Sequence, residues 1–226
     1  MKERPILFSA PMVRAILSGQ KTQTRRVVKP IGNDEGFVIL DYGNGGWPYR
    51  SDDGDSTTHT VKRGGKLYLD ETPHVCPYGQ TGDRLWVRET WADVGTCDPG
   101  LIVYRADYPL CVPRHYENVP PASEIRWRPS IHQRREHSRI LLEITGVSVE
   151  RLKDISEADA RAEGIGAVDV AFAGDKRRDP VTQQHPPVRF ADSYQDLWES
   201  INGPGSWDAN PWVWVVEFKR VEGGAA

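Results

Sequence analysis

The stretch GQKTQTRR, Gly19 to Arg26, sets a lysine, two threonines and two arginines within eight positions, with no carboxylate among them. These residue types suit the hydrolysis of an acyl bond. That reaction needs a nucleophile, a base to activate it, and a cation or donor where the tetrahedral oxyanion forms. Thr24 offers the hydroxyl, Lys21 three residues earlier lies within reach across one turn, and Arg25 or Arg26 can bind an oxyanion or a phosphate. A lysine acts as a base only when neutral, so its pKa must be lowered by burial or a nearby cation. By composition alone the same cluster also fits a solvated helix end. Three unpaired cations on a solvated turn repel one another, however, and an anionic ligand would compensate them. The cluster is therefore expected to hold an anion beside a hydroxyl.

The elements that must position these groups read as strand, helix, then polar turn. Pro5 to Phe8 is a short apolar run, Ser9 caps a helix with Pro11 in its first turn, and Met12, Val13, Ile16 and Leu17 share one face. Gly19 stops that helix. Alternation in GDRLWVRETW sends Leu85 and Val87 one way and Trp86 and Arg88 the other, and a further strand includes Leu101 to Tyr104. SRILLEITGVSVERL is either one bent strand or two strands meeting at Gly146. In ISEADARAEGI, Ser156 and Asp159 form a capping-box pair and Gly164 ends the helix. A second short helix is expected to start at Ser193 with Asp196 and stop at Gly203. In NPWVWVVEFKRV, residues Trp212, Trp214, Val216 and Phe218 fall on one face of a strand. The expectation is a single α+β domain over residues 1–226 with insertions at about 32–65 and 166–187.

Bulk properties exclude several classes. A net charge of -3 leaves no overall basic excess of the kind a general nucleic-acid binder shows, so any anion-binding surface must be local. No apolar run is long enough for a membrane span and MKERPILFS does not read as a signal peptide, so a cytoplasmic protein with no membrane partner is expected. Cys76, Cys97 and Cys111 lack metal-ligand spacing and form no disulfide framework, and the six histidines are unpaired in sequence. No metal and no cofactor is expected.

Two further segments carry candidate contacts. RWRPSIHQRREHSR is the most basic stretch, with Arg126, Arg128, Arg134, Arg135 and Arg139 interleaved with Trp127 and His132. Arginines that neutralise phosphate beside rings that stack bases would suit a single strand of nucleic acid. Trp207, with Asp208 and Asn210, precedes the last strand and is expected to expose an indole able to clamp a flipped base. Trp86, Trp91, Trp212 and Trp214 are expected in the core instead.

The pattern G-x-K-x-x-T-x-R, here Gly19, Lys21, Thr24 and Arg26 after a strand and helix, resembles the signature of the ASCH superfamily. The blocks RPILFSAPMVRAIL, GDRLWVRETW, WRPSIH, LLEITGVSVERLKDISEADARAEGI and SWDANPWVWVVEF are similar to ASCH proteins of phages and prophages. The QRREHSR stretch departs from them in its charge. The resemblance implies a PUA-like small β-barrel with short peripheral helices, and a site for a nucleobase or nucleotide. It is also similar to the bacterial N4-acetylcytidine amidohydrolases, which use a lysine, a threonine and a glutamate. Carried onto this chain, these are Lys21, Thr24 and Glu89, with Glu71 as the rival acid. If Glu89 touches Lys21, the glutamate is the base and the lysine the oxyanion partner. The expected ligand is RNA or a modified nucleoside, with DNA also open, and the oligomeric state is not specified. The rival functions are a non-catalytic nucleic-acid-binding module and a single-strand ribonuclease.

Overall fold

Strand β1 (Glu3–Leu7) and helix α1 (Ala10–Leu17) open the chain in this computed structural model. It describes residues 1–28, 38–39, 49–50, 60–63, 66–69, 76–95, 100–116, 118–166 and 189–221. Ser9 stands at the N-cap of α1, and a proline in its first turn occupies a position where no intrahelical donor is needed. Val13 and Ile16 are buried, and Met12 and Leu17 pack against the same core. Gly19 follows with φ 77, a conformation glycine adopts without a Cβ penalty. The chain then departs from the polar turn expected there. Gln23–Val27 is a strand, β2.

Short strands β3 (Val38–Ile39) and β4 (Tyr49–Arg50) pair with each other, as do β5 (Thr60–Arg63) and β6 (Lys66–Leu69). The rest of the expected 32–65 insertion, Glu71, and the 166–187 insertion beyond Gly166 lie outside the described residues. Strands β7 (Arg84–Arg88), β8 (Trp91–Val94) and β9 (Leu101–Tyr104) come next, β8 and β9 forming a hairpin. Strand β10 (Leu141–Arg151), helix α2 (Glu157–Ala162), helix α3 (Phe190–Asn202) and strand β11 (Trp212–Arg220) complete the order.

The main sheet has five strands in the order β1-β7-β10-β11-β2, with β1 and β7 parallel and the remaining neighbours antiparallel. β10 is one bent strand. Leu142 and Ile144 face the core before a register shift between Ile144 and Gly146, and Val147 and Val149 face it afterwards. One extra residue reverses the parity, so the strand turns without taking its apolar side out of the core.

Both faces of β11 are covered. Trp214, Val216 and Phe218 pack with Ile6, Leu85 and Val87 on the side of α1. Val213 and Val215 meet Leu152, Tyr194 and Trp198 beneath α2 and α3. Trp86, Trp91 and Trp214 are buried, and Trp212 packs against the first core, as the alternation required. Truncating the 1 %-exposed Trp214 to alanine is expected to cost about 3–5 kcal/mol.

Helix α2 carries the expected capping box between Ser156 and Asp159. Helix α3 starts three residues before the predicted Ser193, because a second helix caps it. The Glu157 carboxylate accepts from the N–H groups of Phe190 and Ala191 at 2.8 and 3.2 Å. Among the described residues the sheet does not close into a barrel. Its edge strands β1 and β2 are joined by a side chain, Arg26 Nη2 donating to the Leu7 carbonyl at 2.7 Å. The architecture is α+β, and no helix among the described residues is long and apolar enough to cross a membrane.

Candidate functional site

Because GQKTQTRR runs into a strand, its side chains alternate between faces. Thr24 and Arg26 lie opposite Val216 and Trp214 of β11, whereas Gln23 and Arg25 lie opposite Glu217 and Val215. Lys21, just before β2, is turned inward, and Lys21, Gln23, Thr24 and Arg25 are all buried. A solvated turn is excluded.

The missing carboxylates arrive from β10 and α2. Lys21 Nζ donates to Glu163 Oε2 at 2.6 Å and to the Glu163 carbonyl at 2.7 Å. Arg25 donates to Glu150 Oε1 through Nε at 2.8 Å and Nη2 at 2.5 Å, and reaches Glu163 Oε1 at 3.4 Å and Asp159 Oδ2 at 3.5 Å. Two cations are thus compensated by three acids of the same chain. The expectation that an external anion balances Lys21 and Arg25 is corrected on this ground.

The C-terminal end of α2 is held here through its last-turn carbonyls. Gln23 Nε2 donates to the Asp159 carbonyl, the Thr22 N–H to that of Ala162, and Lys21 Nζ to that of Glu163. Gly164 permits the approach. Its φ is 97, and a Cβ there would stand 3.0 Å from Ala15 Cβ and 3.3 Å from Lys21 Cβ.

Glu89 was the expected partner of Lys21, and the structure corrects it. Its carboxylate takes two hydrogen bonds from Arg139, at 2.9 and 3.0 Å, and its N–H donates to Gln133 Oε1 at 2.7 Å. Arg139 also binds both oxygens of Asp107 at 2.8 Å. Glu89 belongs to a second buried network, and the acid facing Lys21 is Glu163. An acid just before a helix-stopping glycine was the available signal, but only the docking of α2 against β2 gives it meaning.

Burial is the largest single influence on the ionisable groups of both networks, but it does not prevail at each of them. Desolvation lowers the Lys21 pKa against the opposing pull of Glu163. For Arg25, burial works against the charge, but Glu163 and Glu150 outweigh it and raise the pKa. Desolvation raises Glu89, with Arg139 opposing. The Tyr194 phenol is pushed well above its ordinary range by burial and by Glu163.

Glu163 borders two cavities. One of ≈ 290 Å³ lies between α1 and α3 and is also lined by Ser9, Met12, Ser193 and Asp196. The other, of ≈ 60 Å³, is lined by Thr24, Arg26, Tyr194 and Trp198. Met12, Glu163 and Leu197 belong to both. Thr24 and Glu163 therefore line the same cavity, with Lys21 buried behind Glu163.

The other sequence candidates lie elsewhere. Arg26 is half-buried over the Phe8 ring, 5.5 Å from its centroid, and Lys21 Nζ stands 5.7 Å from the same ring. Arg128 lies over Trp91, Arg134 pairs with Glu136 at 3.5 Å, and Arg135 pairs with Glu3 at 2.8 Å. With Arg139 also engaged, three of the five arginines of that stretch meet an acid of the same chain, Arg134 only at the exposed surface. Trp207 is half-buried edge-on to Tyr194, not displayed as a clamp. Asn210 is a turn residue with φ 43, its Oδ1 accepting from the Lys153 N–H at 2.9 Å. Among the described residues no group of three or more His, Cys, Asp and Glu side chains could hold a metal ion.

Compared with protein-family models, curated proteins and solved structures, the chain finds no match in any of the three.

Proposed function

We propose that the chain binds a nucleobase-bearing ligand against Glu163 and hydrolyses an N-acyl group from it, as from a modified cytidine. The observation that carries this reading is Glu163, held by the buried Lys21 at 2.6 Å and lining a cavity that Thr24 also lines. A lysine and a threonine at the start of β2 and a carboxylate from the end of α2 form the minimal set for acyl transfer. In this reading the sheet, with its edges bridged by Arg26, is an open version of the PUA-like barrel that the ASCH resemblance implies.

Glu163 accepts the proton of the Thr24 hydroxyl as its oxygen attacks the acyl carbon. The Lys21 ammonium stabilises the oxyanion. Burial loosens its hold on a proton, which suits it to protonate the departing amine as the C–N bond breaks. Water then attacks the acyl-threonine and gives a proton to the neutral Lys21 amine, and the departing Thr24 oxygen takes back the proton held by Glu163, which restores the resting pair.

A nucleoside is preferred over a phosphate-bound strand, because the Lys21 and Arg25 charges are already met by Glu150, Asp159 and Glu163. The rival nucleic-acid module and ribonuclease gain no support from arginines paired within the chain.

Purified protein incubated with N4-acetylcytidine and followed by absorbance tests the proposal. Wild type is expected to turn over, and Glu163→Gln, Lys21→Ala and Thr24→Ala to lose on the order of a hundredfold or more. No turnover of any acylated nucleoside by the wild type sinks it, and salt-sensitive RNA binding in its place would favour the module.

A further inference from the structure

The β8–β9 hairpin carries a small core of its own and leaves part of it unfilled. Alternation puts Ala92 and Val94 of β8 on one face, opposite Val103 and Leu101 of β9. Ile125 seals the Ala92–Val103 pair, and all three are buried. The Val94–Leu101 pair, at the other end of the ladder, is only half-buried. It opens on a cavity of ≈ 290 Å³, which shares no lining residue with the two cavities at Glu163.

The walls of this cavity are braced. Val112 forms one side, in a turn where its N–H donates to the Pro109 carbonyl at 3.0 Å. The Tyr108 hydroxyl donates to the Pro120 carbonyl, and because both residues line the cavity, one hydrogen bond ties two of its sides. Trp127 stands edge-on to the Tyr108 ring at 5.6 Å. Asp107, the residue before Tyr108, is gripped by Arg139 through both carboxylate oxygens at 2.8 Å. Protein interiors normally close on such a space, since side chains facing a void forfeit dispersion contacts. Here the bracing keeps it open, and Tyr116 and Val119 remain exposed in its lining.

The lining restricts the ligand. Among the described residues no charged side chain borders the cavity. An ion would lose its hydration there with nothing to replace it. Valine, leucine and tyrosine walls favour a flat apolar body instead. An apolar cavity of about 150 Å³ takes benzene, and this one is about twice that size, which suits two fused rings. With the Tyr108 hydroxyl engaged, Asn118 and the Tyr116 hydroxyl are left to offer polar contact, and either oxygen can accept a ring N–H.

We propose that this cavity binds a small, uncharged, two-ring aromatic molecule of the indole class. The rings lie against Val94, Leu101 and Val112, and the ring N–H meets Asn118 or Tyr116. The site does not depend on the hydrolytic reading of Glu163.

Calorimetric titration of the full chain with indole, indole-3-acetate and tryptamine tests the proposal. Indole is expected to bind with a dissociation constant of about 1 mM or tighter, and both charged analogues about tenfold more weakly or worse. Val119→Trp, at an exposed position of the lining, fills the space and should weaken indole about tenfold or more. Tyr116→Ala removes one ring wall and should weaken it about fivefold. Indole should also raise the melting temperature of the wild type but not of Val119→Trp. A wild type that does not bind indole overturns the proposal. So do charged analogues that bind within twofold of indole, or an indole affinity within twofold of wild type in both variants. Tighter binding of N-acetyltryptophanamide than of indole would identify a tryptophan-bearing peptide as the ligand and sink the small-molecule assignment. If Val119→Trp does not fold, the Tyr116→Ala titration decides alone.

Discussion

Lys21 is a buried cation and Arg139 a half-buried one, each facing a buried glutamate, yet their surroundings pull in opposite directions. Arg139 spreads four hydrogen bonds of 2.8–3.0 Å over two carboxylates, and although burial opposes the charge, Glu89 and Asp107 raise its pKa. Lys21 makes one carboxylate contact and one carbonyl contact, and desolvation prevails, lowering its pKa. The planar guanidinium fork matches carboxylates geometrically, whereas the ammonium is a compact point charge that loses more hydration for each bond gained. One network locks a proton in place. The other leaves a proton easier to move, beside a cavity. Similar ingredients thus give a structural clamp at Glu89 and a candidate reaction centre at Glu163.

The largest expected effect comes from breaking the clamp. Arg139→Ala leaves the Glu89 carboxylate, with a 3 %-exposed side chain, without its cation and should cost about 3–5 kcal/mol in urea denaturation. The protein that remains folded should hydrolyse N4-acetylcytidine at the wild-type rate. A rate that falls with Arg139→Ala while the protein stays folded would move the reaction centre to Glu89.

Lys21→Met should do the opposite, reducing turnover on the order of a hundredfold, about 2.7 kcal/mol of barrier. Its stability cost should be the smaller of the two, because Arg25 still stands 3.4 Å from Glu163. A comparison of denaturation midpoints and initial rates for the two variants checks both halves.

The lowered Lys21 pKa also gives a pH dependence of definite sign. The folded protein binds this proton less tightly than the unfolded chain, whose lysines titrate near 10.5. Unfolding therefore takes up a proton between the two values, and stability rises with pH across that interval. The difference in unfolding free energy between wild type and Lys21→Met should climb as pH approaches 10.5. A difference that stays flat from pH 7 to 10 would show Lys21 titrating as an exposed lysine does.

The smallest effect is expected at Asn210. Asn210→Ala forces an ordinary residue to φ 43 and removes the acceptor of the Lys153 N–H, at about 1–2 kcal/mol. Asn210→Gly should restore part of that stability, and neither change should alter nucleoside affinity. Weakened cytidine binding in Asn210→Gly would return this turn to the site.

Local pattern made much of the fold legible. The alternation of β11, the buried stripe of α1 and the Ser156–Asp159 capping box stand where periodicity and cap chemistry put them. Two boundaries failed for one reason, which is that a partner distant in sequence supplied the missing bonds. β2 replaced a turn because β11 offered it a ladder, and α3 began early because Glu157 caps it across a 33-residue separation. At the candidate site, residue type singled out Lys21 and Thr24, while the acid that Lys21 meets was not legible. Glu89 is 68 positions from Lys21 and Glu163 is 142, and nothing in either local sequence ranks one above the other.

By itself the amino-acid sequence determined where cations and a hydroxyl gather, which residues are apolar enough to form two cores, and where α2 must begin and end. Only the tertiary structure decided which acid meets which base. Charge pairing acts over a few ångströms and takes no account of chain separation. The docking of α2 onto β2, permitted by Gly164, put Glu163 at 2.6 Å from Lys21 and left Glu89 to Arg139.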